Sequence, residues 1–437
     1  MRILPRAKSG EATVEWLFLD LNSYFASVEQ QERPELRGRP VGILPLLTAN
    51  TCCIAASYEA KMYGVKTGTS VSEAREKCPH IVLLEARPKL YVEYHHRIVA
   101  AVESCLPVTT VMSVDEMACR LMGRECAVSN ATLLALDMKQ ALRQVGETLR
   151  CSIGLAPNRY LAKLGSDMMK PDGMTVLLAR DLPQALYHLK LTDLLGISRA
   201  MERRIHQHDI TTVEQLCRLT PGQMRHVWGS VLGERIWHWL RGADFVEPRG
   251  ARKSLGKQHV LAPEFRSREM AYHVAQKLLQ SAASNLRKLR LWAGGLGVCA
   301  RFMSTRNGPE PAPWKAEARI RECCDSFTLQ QHFEKLWQGC PAAKPLQVGV
   351  WLFHLIPEEQ HTLPLFDDES RQQKLSAVMD ELNDRYGRGA VYFASTGAVR
   401  QSAPTRISFT SVPGLDEFER DSTPEGSGII GGGTENR

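Results

Sequence analysis

The chain has 437 residues, 43% of them hydrophobic and 24% charged, a composition typical of a folded globular protein with roughly two to four domains. No apolar run approaches the about 20 residues that a membrane-spanning helix needs. The polar N-terminus lacks the apolar core of a signal peptide, so we expect a cytoplasmic protein. The net charge of +7 is compatible with a polyanionic partner without requiring one. The twelve cysteines form no C-x-x-C pair and no zinc-spaced Cys/His cluster, which predicts reduced core thiols.

Alternating strand and helix patterns fill residues 15–170. The predicted strands are 16–20, 40–45, 52–56, 81–84, 108–114, 117–121 and 151–155. The predicted helices are 23–32, 58–63, 70–77, 88–104, 131–147 and 158–168, the first with Asn22 as its N-cap. This alternation favours an α/β or α+β domain in which helices pack on a central sheet.

The sequence after residue 170 predicts four further regions that differ in secondary structure and composition. Residues 186–242 predict a small helical domain, and the basic stretch 245–252, broken by Pro248 and Gly250, predicts a linker. A second α/β domain follows, with strands near 257–261, 294–303, 316–320 and 346–354, a helix over 267–289, and a charged helix over 370–386. The Gly-, Ser- and Glu-rich end from residue 413 is typical of a disordered tail.

Three carboxylates stand at the ends of apolar runs. Asp20 closes the first predicted strand, and Asp115-Glu116 follows the run 108–114. If the three meet, a cation must balance them, because like charges raise one another's pKa; Mg²⁺ prefers such hard oxygen ligands and leaves room for substrate phosphates. Adjacent residues on a strand point to opposite faces, so Asp115 and Glu116 share a site only at a strand end, turn or bulge. The alternative is a solvated turn.

Several further motifs follow in a fixed order. Asp-Leu-Asn-Ser-Tyr-Phe-Ala at 20–26 is joined by Tyr-Glu-Ala-Lys at 58–61, Ser-Val-Asp-Glu at 113–116, and a segment at 152–173 that contains Ser-Ile-Gly, Leu-Ala-Lys and Lys-Pro-Asp-Gly. In this order and spacing they resemble the Y-family (translesion) DNA polymerases of the bacterial DNA polymerase IV and V type. The resemblance covers about residues 15–395.

The resemblance implies the roles of the site residues. Asp20, Asp115 and Glu116 would bind two Mg²⁺ ions, which Mn²⁺ can replace, with the backbone carbonyl of Leu21 as a further ligand. Phe25 would be the steric gate that excludes a ribose 2′-OH, against the alternative of a core residue on a helix face. The residues implied in dNTP binding are Phe25, Tyr24, Tyr58, Lys61 and Lys170. Asn22 stands where many members have a second Asp, and Lys61 replaces the commoner Arg, which loses a bidentate fork.

The resemblance also implies an α+β multidomain fold shaped like a right hand. Its parts would be the palm (1–34 and 91–185), fingers (35–90), helical thumb with a helix-hairpin-helix (186–244), linker (245–252), little finger (253–357), clamp-binding peptide with C-terminal helix (358–412) and tail (413–437). In the thumb, Gly196-Ile-Ser198 replaces the family's Gly-x-Gly hairpin.

Two binding surfaces are expected, one for DNA and one for a sliding clamp. Four basic residues of the little finger are candidates for backbone contacts to primer–template DNA: Lys253, Lys257, Arg287 and Arg290. The stretch 361–368 resembles the peptide that binds the bacterial β sliding clamp, with Leu363, Leu365 and Phe366 as apolar anchors and His361 in place of the usual Gln. Packing of this stretch against its own domain is the alternative.

The expected function is template-dependent addition of dNTPs past damaged bases, in DNA repair and the SOS response, with accessory SOS subunits as an open partner class. One rival is a catalytically silent adaptor that binds the clamp and DNA. Retention of all three carboxylates argues against it. Another two-metal nucleotidyl transferase or cyclase is the second rival, and it would leave the thumb-like and little-finger-like regions without a purpose.

Overall fold

The computed structural model describes residues 10–48, 51–245, 252–303, 311–361, 368–387, 389–400, 402–403, 412–415 and 418. The chain divides into two compact units: Met1–Glu247 with Arg406–Pro413, and Pro248–Thr405 with Gly414–Arg437. The division falls inside the predicted linker. In the described part of the chain, no helix is both long and apolar enough to cross a membrane.

The first unit contains two sheets and the helices that cover them. In chain order its elements are β1 (Trp16–Leu21), α1 (Tyr24–Glu32), β2 (Val41–Leu44), β3 (Ala55–Ala56), α2 (Tyr58–Met62), α3 (Val71–Lys77), β4 (Val82–Glu85), α4 (Pro88–Glu103), β5 (Thr110–Val111), β6 (Glu116–Arg120), α5 (Val128–Val145), β7 (Cys151–Ala156), α6 (Arg159–Met168), β8 (Met174–Val176), α7 (Arg199–His206), α8 (Val213–Arg218), α9 (Pro221–Trp228) and α10 (Val231–Trp239). The larger sheet has the order β5-β6-β1-β7-β8, and the smaller β3-β2-β4.

Strand β1 is the centre of the larger sheet and is antiparallel to both neighbours. Successive side chains of a strand point to opposite faces. Leu17 and Leu19 accordingly pack into the core shared with α4 and α5, while Phe18 packs into the core shared with α6 and the helices that follow. Asp20 lies on the face of Phe18, so the sequence of this strand directs its carboxylate toward α6.

The helices after β8 are short, and side chains cap the starts of α7, α8 and α9. Thr212 and Thr220 each accept a hydrogen bond from a backbone amide three residues on, in capping boxes with Gln215 and Gln223, an arrangement that satisfies orphan amides at helix starts. Helices α9 and α10 pack on each other. Residues 186–242 thus contain a series of short helices within the first unit.

The second unit is a four-stranded antiparallel sheet of order β11-β10-β12-β9 with helices on one face. Its elements are β9 (Ser254–Val260), α11 (Arg268–Lys288), β10 (Leu291–Phe302), β11 (Trp314–Cys323), α12 (Ser326–Trp337), β12 (Pro345–Pro357) and α13 (Asp368–Tyr386). Alternate residues of the central strands, such as Leu296, Val298 and Leu352, are fully buried and form one core with α11 and α12.

Helix α13 and the 3-10 turn Ala394–Val399 lie on the outside of α11 and α12; we call these two elements the C-terminal strap. Arg287 of α11 binds Asp380 of α13 with two hydrogen bonds, of 2.6 and 2.9 Å. The fully buried Ser376 accepts a hydrogen bond from the amide of Ser326 at 3.1 Å. The strap is thus part of the packed second unit.

The predicted strands and helices of the first unit are all present, within a few residues of the expected bounds. The widest differences are the strands predicted at 52–56 and 108–114, which shorten to two residues each. The predicted N-cap is wrong. Ser23 occupies that position in the left-handed region, at φ 49°, without a side-chain cap bond, because the side chain of Asn22 is engaged elsewhere.

Candidate active site

The three predicted carboxylates lie on neighbouring strands. Asp20 of β1 is directly opposite Glu116 of β6, a pairing that brings side chains within contact distance. Glu116 is the first residue of β6, and Asp115 lies immediately before the strand. The carbonyl of Asp115 accepts from the amide of Leu21 at 2.9 Å, and Ser113 Oγ donates to its carboxylate at 2.5 Å. The end of the strand thus allows adjacent residues to face one site.

Two lysines balance the charge of this cluster. Lys163 Nζ on α6 donates to Asp20 Oδ2 and lies 3.0 Å from Glu116 Oε1. Lys170 Nζ donates to Asp20 Oδ1 at 2.7 Å. Burial alone would lower the pKa of Lys163, but the carboxylates around it outweigh that effect and hold the pKa above its ordinary value. One ammonium group therefore lies between the two opposed carboxylates.

The carboxylates themselves are placed where ionisation is unfavourable. Burial raises the pKa of Asp115 and also that of Glu116, because desolvation disfavours the charged form. In the described residues no group of three His, Cys, Asp or Glu side chains is arranged to hold a metal ion, and Lys163 lies between Asp20 and Glu116. The carboxylate oxygens of Asp20 and Glu116 nevertheless converge on one cation, the Lys163 ammonium, and hard oxygen donors of this kind fit Mg²⁺.

Phe25 lies on α1 with its ring stacked on that of Tyr91 from α4, at a centroid distance of 4.4 Å and an angle of 15°. Tyr91 is fully buried, and its hydroxyl donates to the buried carboxylate of Glu29 at 2.8 Å. Arg87 binds the same carboxylate with two hydrogen bonds, of 3.0 and 2.6 Å. Phe25 is half-buried and so presents one face to this rigid support, which suits a residue that must hold a fixed position.

Tyr58 and Lys61 lie on the short helix α2 with the Lys61 ammonium 4.3 Å from the centre of the Tyr58 ring. Lys61 Nζ also donates to Ser23 Oγ at 2.7 Å, at the start of α1. Burial, and next the positive charge of Lys170, lower the pKa of Lys61. Two partly desolvated ammonium groups near each other favour an anionic ligand.

Two residues at the start of α1 differ from expectation. Tyr24 is 3% exposed and its hydroxyl donates to the carbonyl of Tyr91, so its side chain belongs to the core. Asn22 is 2% exposed; its Nδ2 donates to Ser152 Oγ at 3.1 Å, and its Oδ1 accepts from the amide of Asp172 at 2.7 Å. It therefore supports neighbouring backbone.

The basic residues proposed from sequence for DNA binding are mostly engaged within the second unit. Arg287 is 13% exposed and bound to Asp380, so it is a structural residue and the DNA-binding assignment does not fit it. Arg290 pairs with Glu358 on the surface at 2.8 Å. Lys257 lies between the buried Leu255 and His259, on the side of β9 that faces the helices. Lys253 is exposed just before β9.

The open face of the sheet carries basic residues that the sequence reasoning missed. In β11 the pairing places Ala316 and Ala318 toward the helices, so the alternate residues Lys315, Arg319 and Arg321 point to the open face. The signal was present in the sequence, because residues 314–321 alternate between apolar and charged side chains. This surface is recognised in the sequence by the alternation of apolar and charged residues, which has a period of two, and not by a local excess of charge.

The thumb turn and the residue before the expected clamp peptide both have defined partners. Gly196 adopts φ 87° and Ser198 caps α7 by accepting from the amide of Met201, so Ser198 serves the helix start. Leu363, Leu365 and Phe366 lie outside the described residues, as does most of the predicted tail. The preceding His361 stacks on Trp292 with ring centroids 3.5 Å apart and is thus fixed to the second unit.

Comparison with known proteins agrees with this architecture. Residues 19–167 match the impB/mucB/samB family, and residues 373–410 match a domain of unknown function, DUF4113. DNA polymerase IV of Moorella thermoacetica is 33% identical over 391 residues, covering 86% of this chain and 95% of that protein. DNA polymerase IV 1 of Bacillus subtilis is 26% identical over 408 residues, covering 90% and 95%.

Solved structures of Y-family polymerases share the fold. A chimera of the Y-family DNA polymerases Dbh and Dpo4 aligns with a TM-score of 0.65 at 20% identity, covering 78% of this chain and 99% of that chain. DinB from Sulfolobus solfataricus aligns over the same shares with a TM-score of 0.52. The fold is thus that of a Y-family polymerase, which confirms the predicted fold class. The chain belongs to the Y family of DNA polymerases, among the relatives of bacterial DNA polymerase IV.

Proposed function

We propose that this chain is a DNA-directed DNA polymerase that adds dNTPs past damaged template bases, and that its chemistry takes place at Asp20, Asp115 and Glu116. The observation that carries the site assignment is the convergence of Asp20 and Glu116 on one ammonium group, with Asp115 beside them. The named relatives are DNA polymerases, and the catalytic activity follows from membership of their family.

Different residues in and around the cluster would bind different parts of a dNTP and its metal ions. Asp20, Glu116 and Asp115 would hold divalent metal ions, Mg²⁺ by donor type, and these would supply activation of the primer 3′-hydroxyl and charge stabilisation at the α-phosphate. Lys170 and Lys61 would bind the triphosphate oxygens, since their like charges are partly desolvated and lie near each other. Pyrophosphate would leave on the side of these ammonium groups.

Phe25 would discriminate between sugars. Its ring rests on Tyr91 and cannot retreat into the core without displacing a buried side chain that Glu29 anchors. A ribose 2′-OH placed against the ring would therefore meet a fixed surface, which lowers the affinity for ribonucleotides through steric exclusion.

The test of the proposed function is extension of a labelled primer on undamaged and lesion-containing templates, with dNTPs and Mg²⁺. Wild type runs beside Asp115→Asn/Glu116→Gln, whose side chains keep the shape but lose the charges, and binding of primer–template is followed by fluorescence anisotropy. We expect extension by the wild type and a loss of at least about a thousandfold in the double variant, with DNA binding kept. Primer extension by both proteins would refute the assignment of the catalytic carboxylates. DNA binding without primer extension by the wild type would refute the proposed polymerase activity.

We also propose that Leu363, Leu365 and Phe366 bind a sliding clamp. Support comes from the apolar residues within a polar stretch of the sequence, directly after the anchored His361. Surface plasmon resonance with a bacterial β clamp tests this proposal on Leu363→Ala/Phe366→Ala. Loss of binding, with clamp-free primer extension unchanged, is expected; equal binding by the variant would overturn the assignment.

A further inference from the structure

The turn after α6, residues 170–173, carries Lys170 to the carboxylate cluster and has an unusual backbone. Asp172 adopts φ 53°, a left-handed conformation that most side chains avoid. At Gly173 an added Cβ would lie 1.8 Å from the carbonyl oxygen of Met169, so the chain passes too close for any side chain. Such a turn persists only when its surroundings hold it.

Asn22 and Ser152 hold the inner side of this turn. Asn22 Oδ1 accepts from the amide of Asp172 at 2.7 Å, and Asn22 Nδ2 donates to Ser152 Oγ at 3.1 Å. Ser152 Oγ in turn accepts from the amide of Gly173 at 3.4 Å. Both side chains are almost completely buried, at 2% and 1% exposed, so water cannot replace these bonds if they are lost.

Lys139 of α5 holds the outer side. Its side chain is 10% exposed and its ammonium donates to the carbonyl of Asp172 at 2.7 Å, to the carboxylate of Asp172 at 2.6 Å, and to the carbonyl of Cys151 at 2.7 Å. The turn is thus bonded to α5, to β7 and to the start of α1.

We propose that Asn22 is a positioning residue for nucleotide binding: together with Ser152 and Lys139 it fixes the turn that places Lys170. This inference rests on the proposed function in one respect, the contact of Lys170 with the triphosphate. An Asp at position 22 would offer an acceptor oxygen to the amide of Asp172 in the same way.

The test measures KM for dNTP and kcat separately, in single-nucleotide incorporation on saturating primer–template. Asn22→Ala should raise KM about tenfold and change kcat less than about threefold, since small displacements of binding groups cost up to about a hundredfold. Asn22→Asp should restore KM to within about threefold of wild type, because it keeps the acceptor. Ser27→Ala is the matched control: its buried hydroxyl bonds the carbonyl of Asn22 at 2.8 Å but no residue of the turn.

Two further measurements separate the possible failures. Hydrogen exchange at the amide of Asp172 should be faster in Asn22→Ala than in wild type by about tenfold or more, and slow again in Asn22→Asp. Lys170→Ala should itself raise KM; if it does not, the triphosphate role of Lys170 is wrong and the positioning role fails with it. If Lys170→Ala raises KM while Asn22→Ala leaves it within about twofold of wild type, the polymerase assignment stands and the inference about Asn22 is wrong.

Discussion

Helix α6 packs against β7 with no room for a side chain at Gly154, so Gly154→Ala should displace the helix. A Cβ at Gly154 would lie 1.9 Å from the carbonyl oxygen of Ala162 and 2.6 Å from the amide of Ser166. Ordinary contact begins near 3.4 Å, so α6 must move away from β7 by about 1.5 Å. Lys163 lies on this helix, 3.0 Å from Glu116, and would lose that contact.

We expect Gly154→Ala to lower kcat/KM for dNTP incorporation about a hundredfold and to cost about 1–3 kcal/mol of unfolding free energy, as overpacking does. Steady-state incorporation assays and urea unfolding measure the two effects. Circular dichroism confirms that the variant is folded.

Gly165→Ala provides a matched control, because Gly165 faces Gly154 across the same contact. Its added Cβ would lie 3.4 Å from the Cα of Gly154 and 3.6 Å from Thr175 Cβ, both ordinary contacts. This variant should keep wild-type activity and gain up to about 1 kcal/mol, since Ala is the better helix former. Equal losses in both variants, or wild-type activity in Gly154→Ala, would refute the reasoning.

Three further predictions test other parts of the molecule. Phe25→Ala should raise the ratio of ribonucleotide to deoxyribonucleotide incorporation about a hundredfold or more, and Tyr91→Ala should raise it less, because the gate loses only its support; an unchanged ratio in Phe25→Ala would exclude the gate. Burial raises the pKa of Asp115 above its ordinary value of 3.8. The folded state therefore binds the proton of the Asp115 carboxyl group more tightly than the unfolded state does. Without divalent cations, the contribution of this proton to stability is lost as the pH rises through the folded-state pKa. Asp115→Asn should therefore gain stability relative to wild type as the pH rises above the ordinary pKa of an aspartate in EDTA, and a difference independent of pH would contradict the assignment. Asp380→Ala should cost the second unit about 2 kcal/mol in urea unfolding, since it leaves the guanidinium of Arg287 without its carboxylate; a near-zero coupling energy in a double-mutant cycle with Arg287→Leu would show that the pair contributes nothing.

Most of the first unit's secondary structure could be predicted, because its elements have strong local patterns. The apolar run 16–19 and the long amphipathic segment 88–104 need no tertiary information to be recognised. The carboxylates could be predicted as a group from motif order. Their pairing could not, since the register that sets Asp20 opposite Glu116 depends on strands almost a hundred residues apart.

The wrong assignments share one physical cause: local sequence does not show which partner a polar side chain will find. Asn22 looks like a helix cap, yet its best partners are backbone and side-chain groups near residues 152 and 172, remote in sequence. Arg287 looks like a surface cation, yet Asp380 lies within reach once α13 packs on α11. Tyr24 resembles a dNTP-binding residue in its motif, yet its side chain is buried and its hydroxyl donates to the carbonyl of Tyr91 on α4.

The C-terminal strap has a consequence for how this polymerase can be recombined with its relatives. The match to DUF4113 begins at residue 373, inside α13, and the strap's partners lie upstream, at Arg287 on α11 and at Ser326 on α12. A gene exchange at that boundary would separate each half of these contacts from the other. A chimera should therefore exchange this segment only together with helices α11 and α12, on which it packs.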